Sequence, residues 1–259
     1  MTEDTPAPPR RDLPQLKRAL LIALAALALP WLVKLVEIAG PDSFDWLGVR
    51  PRRLIGLIGI LTAPLVHGSF EHLIFNSGPL FVLGTLMAFA YPRASRRAVP
   101  LIWLVSGVGV WLFARPSWHV GASGLTHGLM FFLFFSGLLR HDRLATAVSL
   151  IVFFLYGGML ATVLPQEPHV SWEYHLGGAI GGLMAALLWG RLDPAPPEPK
   201  PSWETEAEAL PDDALEPPRP QDVPVLWQGP TPPSRGVVLS FPGPRVRPSG
   251  ADGGPPPAH

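Results

Sequence analysis

Apolar residues arrive in long blocks over the first three quarters of the chain, separated by short polar stretches rich in arginine. A helix needs roughly 20 apolar residues to cross a bilayer, and several blocks reach that length. The first runs from Ala19 to Val33 behind Lys17 and Arg18, then on to about Gly40 with Lys34 and Glu37 interrupting. Charges near the end of a span can snorkel to the interface. Ala26-Leu27-Ala28 after a basic flank also fits a cleaved leader, but apolar residues continue beyond it and favour a retained helix. A loop at roughly 41–53 follows. The stretch from Leu54 to Tyr91 is too long for one crossing and divides into an interfacial approach near 54–66 and a span near 69–90. Further spans are expected near 98–114, 122–139, 144–164 and 174–190. The pattern predicts an all-α membrane protein, a bundle of six transmembrane helices with both termini on one side.

Composition sharpens this picture. Of 259 residues 48% are hydrophobic and 15% charged, against roughly 25% charged in a soluble domain, and the mean hydropathy is +0.27 although the ends are polar. Twenty basic and twenty acidic residues cancel, so net charge gives no pull toward nucleic acid. The absence of cysteine excludes disulfides, zinc–thiolate sites and cysteine nucleophiles. Basic residues orient the spans, because cytoplasmic loops carry the excess of lysine and arginine. Lys17, Arg18, Arg93, Arg96, Arg97, Arg140, Arg143 and Arg191 share the face of the termini, which makes that face cytoplasmic; Arg50, Arg52, Arg53 and Arg115 are exceptions. Residues 1–15 read as a disordered cytoplasmic lead, 16–191 as the membrane domain, and 192–259 as a disordered proline-rich cytoplasmic tail. Trp203 and the Val223–Trp227 patch read as isolated apolar residues of that tail rather than docking points. The short N-terminus and compact loops suggest a bacterial inner membrane.

The informative residues are the polar ones that a bilayer should exclude, since a span tolerates them mainly where they face a cavity and act. His72 and Asn76 stand four apart, on one helical face; alone they favour a reading as interhelical hydrogen bonding. Ser123, in Gly121-Ala122-Ser123-Gly124, opens an apolar helix whose free N–H groups favour an anion. With Gly124 and Gly128 four apart, it reads first, taken alone, as a packing motif with a serine cap. His175 opens the last span, and Gly177, Gly178, Gly181 and Gly182 bare a face for close packing. The orientation brings all three groups within a few turns of the outer membrane face. There a neutral histidine can activate a serine hydroxyl, and the Ser123 N–H, the His72 ring and the Asn76 amide can receive an oxyanion. Glu173 lies on the loop side of His175, so these residues suggest a dyad without a third acid.

These motifs resemble the rhomboid family of intramembrane serine proteases. The resemblance rests on His72-x-x-x-Asn76 with His67 five residues earlier, on Gly121-x-Ser123-Gly124, and on His175-x-x-Gly178-x-x-x-Gly182, and it spans roughly residues 19–191. It implies Ser123 as nucleophile and His175 as general base, with His72, Asn76 and Ser123 forming the oxyanion hole. Gly121, Gly124, His127, Gly178, Gly182 and His67 would support them. The implied substrate is a transmembrane segment of another membrane protein, cut within the lipid bilayer without cofactor or metal. The chain departs from the family in two places. His127 stands where many members carry a tyrosine one turn after the nucleophile, which adds a titratable group beside the base. The first loop lacks the usual Trp-Arg pair, although Trp46 and Arg50 are near. The rival readings are a catalytically silent relative that binds client helices, a structural scaffold, and a metal protein using His67, His72, His119, His127 and His175. The last finds no H-E-x-x-H motif to support it.

Overall fold

Helix α1 (Leu13–Ala39) opens the computed structural model, which describes residues 13–165 and 170–193. The chain divides into units Met1–Pro199 and Lys200–His259, and every described residue belongs to the first. Residues 1–12 of the expected lead, and the proline-rich tail from 194 with Trp203 and the 223–227 patch, lie outside the described residues. After α1 a loop folds through short 3-10 turns and the single-turn helix α2 (Gly59–Thr62), and α3 (Phe70–Ala90) and α4 (Ser95–Phe113) follow. Next come α5 (Ser123–Arg140), α6 (Arg143–Tyr156) with a 3-10 extension over Gly157–Val163, and α7 (Trp172–Trp189). No strand occurs among the described residues; Val49 and His119 form an isolated antiparallel bridge. The first helix starts inside the stretch expected as a disordered lead. Pro14 permits this, because a proline in a first helical turn gives up no intrahelical hydrogen bond.

Among the described residues, four helical segments are long and apolar enough to cross a membrane: Leu13–Ala39, Phe70–Ala90, Ser95–Phe113 and Arg143–Val163. Their large side chains point outward, with Phe113 81% and Phe154 80% exposed, while alanine, glycine and serine fill the contacts between helices. This is the arrangement lipid favours, since helices in an apolar solvent associate through close packing rather than hydrophobic burial. α7 is wedged between two neighbours by glycines on adjacent faces. A Cβ on Gly178 would run into the carbonyl of Gly124, and one on Gly182 into that of Gly128, both on α5. On the α4 side, Cβ atoms on Gly177 and Gly181 would stand 3.0 Å from the Cα atoms of Ser106 and Ile102.

Both ends of α4 are tied to distant parts of the chain. The Asp193 carboxylate is buried and accepts hydrogen bonds from the Arg93 and Ala94 N–H groups at 2.9 and 2.7 Å, which satisfies amides that a helix start leaves open. At the other end the Arg52 guanidinium donates to the carbonyls of Leu112 and Ala114 at 3.3 and 3.0 Å. The indoles of Trp103 and Trp111 donate to the carbonyls of Ile60 and Arg53, each at 3.0 Å. Arg50 lies 5.4 Å from the centre of the Trp118 ring. Two of the arginines that depart from the charge pattern therefore have local partners, Arg52 as a helix cap and Arg50 on an aromatic face.

Lys34 and Glu37 do not snorkel. One helical turn apart, both face inward and are buried, and they pair at 2.8 Å.

Candidate active site

The turn before α5 delivers Ser123. Gly121 has φ +110°, a conformation open to glycine at little cost. A Cβ there would lie 2.5 Å from Cε1 of His72 and 2.7 Å from its Nε2, so the imidazole rests directly against this backbone. The Gly121 N–H donates to the Ala63 carbonyl at 2.9 Å and the Ala122 N–H to His67 Nε2 at 3.3 Å. Ser123 is then the first residue of α5, half-buried, where backbone N–H groups lack intrahelical acceptors.

His72 sits in the first turn of α3, whose N-cap Ser69 accepts the His72 N–H at 3.0 Å. Asn76 is buried one turn on and donates one amide hydrogen to the His72 carbonyl at 3.0 Å, which leaves the second free of that bond. His67 and His72 meet edge to face at 5.1 Å. Burial, and after it the neighbouring His72, holds the His67 imidazole well below its usual range, so its ring is neutral and its Nε2 can accept from Ala122.

Two stacked histidines face this turn. His127 and His175 lie with ring centres 3.9 Å apart and planes within 10°. His127 Nδ1 lies 2.7 Å from the Ser123 carbonyl, and His175 Nδ1 lies 2.9 Å from the Thr162 carbonyl. A carbonyl only accepts, so both Nδ1 atoms carry hydrogen. In neutral His175 this leaves Nε2 as a bare lone pair. His127 Nε2 reaches the Thr162 hydroxyl at 2.8 Å. That hydroxyl also lies 2.9 Å from the Met159 carbonyl, so its single proton serves two acceptors. Thr162 thus holds both histidines, yet nothing in the sequence marked it beyond being a polar residue in the apolar run Gly157–Val163. Among the described residues no hydrogen bond joins the Ser123 hydroxyl to His175; unliganded sites often leave this contact long.

The remaining residues singled out in the sequence lie as follows. Gly124 packs against the Tyr174 ring, where a Cβ would meet Cδ2 at 2.7 Å, and Gly178 and Gly182 form the α5–α7 seam. Glu173 turns to Arg115 at 3.2 Å. His119 is apart, bonded to the Ser171 hydroxyl at 2.6 Å and close to the Arg115 carbonyl at 3.0 Å, and burial lowers its pKa. The histidines meet in pairs, His67 with His72 and His127 with His175, and among the described residues no group of three or more histidine or acidic side chains is placed to hold a metal ion.

The family model described as the Rhomboid domain matches residues 56–192. The chain belongs to the Rhomboid domain family. This rhomboid is also similar to an uncharacterized protein of Mycobacterium tuberculosis, 38% identical over 174 residues that cover 64% of this chain and 72% of that one. An uncharacterized protein of Mycobacterium leprae is 36% identical, covering 64% and 69%. A Bacillus subtilis protein named as a candidate rhomboid protease, YdcA, is 28% identical over 136 residues, or 50% and 65%. Family and apolar helices together make this rhomboid an integral membrane protein, and these relatives are all bacterial. The family match takes in Ser123, His175, His72 and Asn76, whereas α1 with Lys34 and Glu37 lies before it.

Proposed function

We propose that this rhomboid is an intramembrane serine endopeptidase that cuts transmembrane segments of other membrane proteins with a Ser123–His175 dyad. The observation that carries the reading is the bond from His175 Nδ1 to the Thr162 carbonyl, which fixes the tautomer a general base needs. The bare Nε2 takes the proton of the Ser123 hydroxyl as Oγ attacks the peptide carbonyl. The Ser123 N–H, the His72 ring and the free Asn76 amide hydrogen receive the oxyanion. His175 then gives its proton to the departing amine, and water releases the acyl group by the same route in reverse. His127 stacks on the base where many relatives carry a tyrosine, and its bond to the Ser123 carbonyl couples the base's ring to the nucleophile's own residue. No cofactor enters this chemistry.

In this reading all six long helices cross the lipid bilayer. α5 and α7 carry the polar residues there because their neighbours shield them. Both termini are cytoplasmic, and the membrane is the bacterial cell membrane.

The test is cleavage of a model transmembrane substrate by the purified full chain, together with labelling by a fluorophosphonate. Both are expected to vanish in Ser123→Ala and His175→Ala, and His72→Ala is expected to cost about 10²–10³ in kcat, the loss typical of an oxyanion donor. A folded wild-type chain that neither labels nor cleaves would overturn the protease in favour of a silent relative that binds client helices.

A further inference from the structure

A buried ion pair is weak evidence for stability, because well-packed apolar residues of similar size often do as well. The pair on α1 calls for another reason, and its remaining bonds supply one. Besides its contact with Glu37, the Lys34 ammonium donates to the His67 carbonyl at 2.9 Å. Glu37 uses its second oxygen to accept the Phe44 N–H at 3.1 Å. Lys34 also lies 5.9 Å from the centre of the Phe70 ring, and one turn earlier on α1 the Trp31 indole donates to the Ser77 hydroxyl at 3.0 Å. The two charges therefore grip backbone on both sides of the loop between α1 and α3.

The far side of that grip is the catalytic turn. His67, held by its carbonyl, uses its ring to accept the Ala122 N–H, and Ala63, four residues before, accepts the Gly121 N–H. An unbroken chain of bonds thus runs from Glu37 to Lys34, to His67, and to the residue that precedes Ser123. Its last member fixes the peptide plane next to the Ser123 N–H.

We infer that Lys34 and Glu37 are positioning residues of the active site, holding through His67 the turn that sets the Ser123 hydroxyl and N–H against the substrate carbonyl. The inference rests on the proposed protease. It makes α1, which lies outside the Rhomboid domain match, part of the catalytic apparatus. Neither side chain touches substrate; each acts on the orientation of the turn, so it governs kcat and leaves substrate binding alone.

The test uses the full chain in detergent and two variants. Lys34→Met/Glu37→Gln removes both charges at once, so neither is left buried without a partner, and Lys34→Arg keeps both the charge and a donor for the His67 carbonyl. The readouts are kcat and KM on the model substrate, thermal unfolding, and amide hydrogen exchange in the peptide containing residues 121–123. The double variant is expected to unfold near the wild-type temperature, to exchange faster at 121–123, and to lose about 10- to 100-fold in kcat, the order that a small misplacement of reacting groups costs, with KM within about twofold. Lys34→Arg should retain wild-type exchange and most of kcat. A double variant with wild-type kcat, or one whose 121–123 amides exchange as in the wild type, would overturn the inference. Should the wild type neither label nor cleave, the protease reading falls, and the exchange at 121–123 still decides whether the pair holds this turn.

Discussion

Thr162 gives its carbonyl oxygen to one histidine and its hydroxyl to the other, so its backbone and side chain can be separated by substitution. Thr162→Val keeps the shape and the carbonyl and deletes the hydroxyl. His127 Nε2 then loses its partner in a buried place, a defect worth about 1–3 kcal/mol, and its ring is freed to tilt against His175. Turnover of the model substrate is expected to drop about tenfold, the rate equivalent of about 1.4 kcal/mol, with KM unchanged; an unaltered kcat would show that the base needs only the carbonyl. Sequence made Ser123, His175, His72 and Asn76 legible because each is a polar interruption in an apolar block. Thr162 is hidden because threonine is unremarkable in a span and because its bond to His175 uses a carbonyl that every residue possesses. Lys34 and Glu37 are conspicuous in the sequence, but they pair in the interior instead of snorkelling. Sequence displays the charge and not the carbonyl of His67, 33 residues away, that receives it.

Between elements, the tightest constraint is the seam of α5 and α7. Backbone meets backbone there, so an added methyl group has no flexible side chain to push aside. Gly178→Ala is expected to destabilise the protein by about 1–3 kcal/mol, the usual cost of overpacking, or to prevent folding outright. Gly158→Ala, where a Cβ would meet nothing within 4 Å, should unfold like the wild type. Thermal unfolding in detergent compares the two, and equal midpoints would contradict the seam. The helices themselves were readable from hydropathy, and the bare glycine face of α7 from its spacing. Which neighbour each pair of glycines meets was not, because GxxxG spacing states that something approaches closely without saying what. The same holds for Arg52, whose role as a cap for α4 depends on a loop that folds back over the helix end.

For the molecule as a whole, hydropathy and charge placed the chain in a membrane, while the ties that fasten its loops to its helices came only from three dimensions. Two of these ties use buried neutral histidines outside the spanning helices, His67 and His119, and both titrate below the ordinary range in the folded state. The unfolded chain, with histidines near the usual 6.5, therefore binds more protons as the pH falls. Stability is full above about pH 6.5 and declines as the pH drops through that value toward the folded-state pKa values. Unfolding midpoints in detergent should fall between about pH 7.5 and pH 5, and a flat profile over that window would contradict the neutral His67 on which the Ala122 bond depends.

The carboxylate that caps the start of α4 comes from Asp193, 100 residues further along the chain. During synthesis α4 leaves the ribosome well before its cap exists. At about 5–20 residues per second the delay is about 5–20 s, and over that time the Arg93 and Ala94 amides must bond water or lipid headgroups instead. Only when the end of the membrane domain emerges can the latch close. The order of translation itself thus defers the moment at which the start of α4 is capped.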